Sequence, residues 1–198
     1  MTTNAAAPEF LVLHAVRVKG FANTSAVAET AGLDADVVSR QLLVLEEAGH
    51  LSHLEGRISG WRTTAKGKVL HAQLIAENVR EAECLLDANN VYQRFLPLNE
   101  PFKELCTEWQ LQGQPSSCVP KLAELHHEVI PTVIEMSTLF PWYRTYESRL
   151  ADALKRLQAG DVESFTKPLS GSYHDVWMEL HEDFLLTLGR KRSVADGS

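Results

Sequence analysis

The stretch from Asn23 to Gly67 constrains the fold more than any other part of the chain. It begins with NTSAVAETAGLDADVVSRQLLVLEEAG, two short helical patterns separated by a turn at Gly32. It continues with HLSHLEGRISGWRTTAKG, two strand-like runs around a turn that contains two glycines. Thr24 or Ser25 offers a side-chain oxygen to cap the first helix, and Gly32 ends it. Asp34 caps the second, where Val38, Leu42 and Leu45 recur at i, i+4 and i+7 and therefore share an inward face. Gly49 closes that helix, and Asp36, Ser39, Arg40 and Leu43 fall on its opposite face. Leu51–Leu54 and Trp61–Thr63 flank Glu55 to Gly60 with the spacing of a β-hairpin. Upstream, Phe10, Leu11, Leu13, His14, Val16 and Val18 predict a further helix over Phe10–Lys19, closed by Gly20.

This order of elements predicts a winged helix-turn-helix, whose usual use is reading DNA. In such a unit the N-terminal half of the second helix enters the major groove. Ser39, Arg40 and Gln41 are then the residues placed for base or phosphate contact. Arginine reads guanine O6/N7 and glutamine reads adenine N6/N7. Arg57 at the hairpin turn and Arg62 on its return strand suit phosphate or minor-groove contact. Trp61 is expected to anchor the wing to the helices, and Thr64 to cap the helix that follows.

Leu42-x-x-Leu45-x-x-x-Gly49, followed by Gly56-Arg57-x-x-Gly60-Trp61-Arg62-x-Thr64-x-x-Gly67-Lys68, resembles the winged helix of MarR-like transcriptional regulators. The likeness covers residues 8–75. It implies DNA binding as a dimer, with an affinity set by a small ligand.

Charge is distributed unevenly. Residues 1–80 hold eight Lys or Arg and eight Asp or Glu, so the net charge of −7 resides in residues 81–198. A nucleic-acid binder usually presents a basic footprint, and here any such footprint must be local. No apolar run approaches the ~18–20 residues that span a bilayer, so no membrane partner is expected. The start MTTNAAAPEF lacks the charged-then-apolar order of a secretory signal, so a cytoplasmic protein is expected. Cys84, Cys106 and Cys118 show no C-x-x-C spacing and read as reduced thiols.

Beyond residue 75 the chain is helical in pattern. Thr64–Asn90 reads as one long connector helix with a stripe of Val69, Leu70, Ile75, Val79, Ala82, Leu85 and Leu86. Val91–Leu96 is a short segment ending at Pro97, and a helix is expected from Asn99 to Gln112. Gly113–Pro120 is a surface loop. Pro120–Leu139 is a helix that Pro131 should kink, and Pro141 starts another running to Gly160. Ser172 caps the last, Tyr173–Leu188. On it Tyr173, Trp177, Leu180 and Phe184 form one stripe and His174, Met178, His181, Leu185 and Leu188 the next. Asp175, Glu179 and Glu182 share the remaining face, expected to meet solvent. Arg190-Lys191-Arg192 reads as a cation cluster favoured by the helix C-terminus.

So broad an apolar surface predicts burial of His174 and His181, whose rings then need partners. One reading lines an organic-ligand pocket with Tyr146, Arg149, His174, Trp177 and His181. The other is plain packing. A shared metal fits poorly: seven residues at ~1.5 Å rise separate the two histidines by about 10 Å, whereas zinc needs each nitrogen at ~2.0–2.1 Å. No metal or cofactor is expected. Nor does the chain carry a G-x-G-x-x-G, P-loop, G-x-S-x-G or H-E-x-x-H pattern, and an enzyme is not expected.

The fold expected is mainly α: a winged helix-turn-helix with a small β-hairpin wing at residues 8–75, then an all-helical domain at 76–192. The function expected is a dimeric regulator that binds double-stranded DNA and responds to a small-molecule effector. The alternatives are an adaptor whose winged helix docks on protein, and a metal- or ligand-binding helical protein centred on the last helix.

Overall fold

The computed structural model describes residues 6–82 and 84–190. The protein is mainly helical with one small antiparallel sheet. It divides into two compact units. Among the described residues the first comprises 6–82 and Phe140–Thr145, and the second 84–139 and 146–190.

The first unit opens with α1 (Pro8–Lys19), α2 (Thr24–Ala31) and α3 (Ala35–Glu47). α1 starts with proline at its first position, where the missing N–H costs nothing, and Gly20 closes it at φ 72°. The cap of α2 is Asn23, not Thr24 or Ser25: its Oδ1 accepts from the Ala26 N–H at 2.8 Å. The Thr24 hydroxyl instead accepts from the Trp61 indole N–H at 3.1 Å, so the tryptophan is tied to α2 as expected of an anchor. Asp34 caps α3 through the Asp36 N–H at 2.8 Å. Val38, Leu42 and Leu45 are buried against Val12, Leu13 and Val16 of α1 and Val27 of α2. Burial of this stripe, rather than the intrinsic helicity of 13 residues, holds α3 in place.

The sheet pairs β1 (Leu51–Leu54) with β2 (Gly60–Thr63), Ser52 opposite Arg62 and His53 opposite Trp61. Ala22 adds one bridge to the outer side of β2, exchanging two backbone hydrogen bonds with Trp61. That approach requires a glycine at position 60. A Cβ there would sit 2.7 Å from the Phe21 ring and 2.9 Å from the Ala22 carbonyl oxygen. Next, α4 (Ala65–Ala82) begins at Thr64, whose hydroxyl accepts from the Gly67 N–H and donates to the Gly49 carbonyl. A Cβ on Gly67 would lie 1.9 Å from the His50 carbonyl oxygen. The Thr-x-x-Gly pair therefore clamps the start of α4 onto the end of α3. A 3₁₀ turn, Pro141–Tyr143, completes the unit: the Trp142 ring packs edge-on against Phe10, and the Thr145 hydroxyl donates to the Thr30 carbonyl.

The second unit holds α5 (Leu85–Phe95), α6 (Asn99–Leu111), α7 (Cys118–Leu139), α8 (Tyr146–Gln158), α9 (Glu163–Thr166) and α10 (Tyr173–Thr187). Two expectations need correction. The connector is not one helix: α4 ends at Ala82 and α5 starts after Cys84, whose φ −122° and ψ 25° are not helical. Leu85 and Leu86, placed on one apolar stripe with Val79, belong to the second helix and are exposed. Pro131 lies inside α7, which runs from Cys118 to Leu139. The helix expected from Pro141 begins only at Tyr146, after the 3₁₀ turn. The side chain of Ala82, and Lys191 and Arg192 of the terminal cation cluster, lie outside the described residues.

The second core is aromatic. Phe102 stacks on Trp177 with centroids 4.3 Å apart, Phe95 on Phe184 at 4.8 Å, and Trp109 meets Phe165 edge-on at 5.0 Å. Among the described residues no helix is long and apolar enough to cross a membrane.

Candidate nucleic-acid interface

Because Val38, Leu42 and Leu45 turn inward, the 3.6-residue period turns Ser39, Arg40, Leu43 and Val44 outward. Ser39 and Arg40 are exposed and Gln41 is half-buried. The Ser39 hydroxyl donates to the Ala35 carbonyl at 2.8 Å, one turn back, which leaves its lone pairs to accept. Asp34 and Asp36 stand at the N-terminus of α3, where the helix dipole favours them; the Asp34 carboxylate is spent on its cap. Leu43 and Val44 are 60% and 56% exposed.

Arg57 lies in the exposed turn between the strands, beside Ile58, which is 62% exposed. Arg62 is exposed on β2, and its Nε donates to the Ser52 hydroxyl at 3.2 Å across the ladder, which fixes the guanidinium along the sheet. Thus Ser39, Arg40 and Gln41 share one helix, and Arg57 and Arg62 share one hairpin, all within the first unit.

Between α1 and α4 the same unit buries a histidine pair absent from the sequence reading. His14 Nδ1 lies 2.9 Å from His71 Nε2, one ring donating and the other accepting, with Phe10 and Trp142 around them. Burial, then the charges of His14 and Arg17, pushes the His71 pKa down to about 2. His14 did stand in the apolar pattern of α1; only its partner, 57 residues away, was hidden.

The five residues considered for an organic ligand all lie in the second unit, and each is held by its neighbours. The Tyr146 hydroxyl donates to Asp183 at 3.0 Å, and Thr187 donates to the other oxygen of the same carboxylate at 3.2 Å. Arg149 pairs with Glu179 at 2.5 Å, both side chains almost fully buried, and its guanidinium lies 5.6 Å from the Tyr146 ring. The Trp177 indole donates to Asn99 Oδ1 at 2.9 Å. His181 sits 3.5 Å from the Tyr92 hydroxyl and edge-on to Phe95. His174 is only half-buried, stacked on Phe102, and burial lowers its pKa. Tyr146 and Arg149 therefore come together, with two carboxylates, while Trp177, His174 and His181 belong to the aromatic core.

The face of α10 expected to meet solvent is not wholly solvated. Glu179 is buried against Arg149, and Asp183, which the sequence did not single out, is fully buried. Among the described residues no group of three or more His, Cys, Asp or Glu is arranged to hold a metal ion. The three thiols are free, and burial pushes that of Cys106 up to about 12, far from the thiolate that nucleophilic chemistry needs. No protein-family model, no curated protein and no solved structure matches this chain.

Proposed function

We propose that the protein is a transcriptional regulator that binds double-stranded DNA as a homodimer, through a MarR-like winged helix formed by α1–α3, the β1–β2 hairpin and the start of α4. The observation that carries the reading is the outward face of α3. A capped helix, buried along its inner stripe, presents Ser39 and Arg40 to solvent beside a hairpin with Arg57 at its exposed turn. The type of helix that reads a major groove has this form. In the regulator, Arg40 and Gln41 meet base edges and Ser39, Arg57 and Arg62 meet phosphates. Two-fold half-sites call for two copies of the helix, hence the homodimer.

A second reading is favoured by one observation: Leu43 and Val44 are exposed on the same helix, whose N-terminus carries Asp34 and Asp36. In that reading the face docks on a protein. Fluorescence anisotropy with random-sequence duplex at low salt separates the two. The regulator binds, and the Arg40→Ala/Arg57→Ala double variant loses most of the affinity. An adaptor shows no duplex binding even at the lowest salt. Analytical ultracentrifugation of the free protein is expected to show a dimer; a monomer that remains monomeric on duplex DNA would contradict the two-fold arrangement.

A further inference from the structure

The outward face of α3 carries a carboxylate and a cation one turn apart. Asp36 and Arg40 lie at i and i+4, and both are exposed. Opposite charges at that spacing ordinarily pair on a helix surface. Here, among the described residues, neither side chain has a hydrogen-bond or ion-pair partner. Nor does the Asp36 carboxylate cap the helix. Asp34 does so, and Asp36 supplies only the backbone N–H that the Asp34 side chain accepts.

A carboxylate on a surface that approaches DNA is costly unless it meets a donor. Phosphate oxygens repel it, and so do guanine O6 and N7 and thymine O4. The donors in the major groove are the amino groups of adenine and cytosine. Adenine sets its N7 acceptor beside the amino group, whereas cytosine offers N4 alone. Cytosine is therefore the base that suits a carboxylate best. The N-terminal residues of a recognition helix are those that reach base edges, and Asp36 is the second residue of α3. Four residues at ~1.5 Å rise separate Asp36 from Arg40 by about 6 Å. At ~3.4 Å per base pair, that is about two steps for a helix laid along the groove.

We propose that Asp36 is a specificity-determining residue of the DNA interface: its carboxylate accepts from the N4 amino group of a cytosine, about two base pairs from the guanine that Arg40 meets. The inference rests on the DNA-binding reading and names the kind of duplex that the face takes. Sequences that place an acceptor at the cytosine position are rejected by the carboxylate. The same repulsion keeps affinity for unrelated duplex low, in line with the balanced charges of residues 1–80.

Selection of bound duplexes from a random pool by the full-length chain, followed by anisotropy titrations on the selected site and its single-base variants, tests it. The wild-type chain is expected to enrich the spaced cytosine and guanine, and to bind about tenfold more weakly when the cytosine pair is replaced. Asp36→Ala removes that penalty, keeps the guanine preference and binds random duplex more tightly. Asp34→Ala, which takes away the cap but leaves Asp36 in place, retains the cytosine preference. Duplex binding without a cytosine preference, or with one that Asp36→Ala leaves unchanged, overturns the proposal while the DNA-binding reading stands. So does an equal loss of the preference in Asp34→Ala and Asp36→Ala, which assigns the effect to the helix end. Failure of the wild-type chain to bind any duplex at low salt overturns both.

Discussion

α3 and α10 are helices of similar length, 13 and 15 residues, and both carry polar side chains among apolar ones. On α3 the polar set is exposed: Asp36, Ser39 and Arg40 face solvent, and a single stripe of three residues is buried. On α10 much of the polar set is inside: Glu179 meets Arg149, Asp183 meets Tyr146 and Thr187, and His181 meets Tyr92. The two helices solve opposite problems. A buried polar group must be satisfied where it stands, so the polar side chains of α10 are committed to their own unit. The polar side chains of α3 cost little to leave in water and remain available to a partner. Polarity alone therefore does not mark a site; the partners do.

The largest expected effect lies on α10. Glu179→Ala removes the carboxylate that Arg149 meets in the core and should destabilise the protein by ~3–5 kcal/mol in urea unfolding. A cost under ~1 kcal/mol would mean that the pair is solvated and the contrast with α3 is false.

The buried histidine pair sharpens the comparison within the first unit. In the folded chain the His71 pKa is about 2, against an ordinary 6.5, so on acidification the unfolded chain takes the proton first. Stability from this group is present above pH 6.5 and is lost as pH falls from there toward 2. The slope approaches about 1.4 kcal/mol per pH unit from one group. Urea midpoints measured at neutral and mildly acidic pH should fall accordingly, and His71→Leu should flatten the dependence.

Smaller still is the cap of α3. Asp34→Ala removes the acceptor of the Asp36 N–H and should cost ~1 kcal/mol by thermal unfolding. The smallest effect on stability is expected at Arg40. Arg40→Ala on the exposed face should change it by no more than ~0.5 kcal/mol, in contrast to Glu179.

Local pattern made the first unit legible. The i, i+4, i+7 spacing of Val38, Leu42 and Leu45 fixes the inner face of α3, and the two glycines around Arg57 fix the hairpin. Thr64 and Gly67, read as a cap and a motif position, prove to be the clamp between α3 and α4. What escaped depends on long-range contacts. Asn23 and Thr24 are both good caps, and the indole of Trp61, 37 residues on, decided between them. Phe140–Thr145 joins the first unit through Phe10 and Thr30, which no local periodicity can encode. Glu179 took the usual solvated reading of a charged residue because Arg149, its partner, lies 30 residues away. The break after Ala82 was hidden because the apolar spacing runs on across it; no proline or glycine marks the spot.

The central claim is that the exposed face of α3, with the hairpin, grips duplex DNA. The most direct test is the salt dependence of duplex affinity for the wild-type chain and the Arg40→Ala/Arg57→Ala variant. Each phosphate contact contributes about −0.9 to the slope of log affinity against log salt. The account predicts a negative slope that becomes shallower by up to about two in the variant, together with weaker binding at every salt concentration. Equal slopes and equal affinities for the two proteins, or no binding by either at the lowest salt, would contradict it.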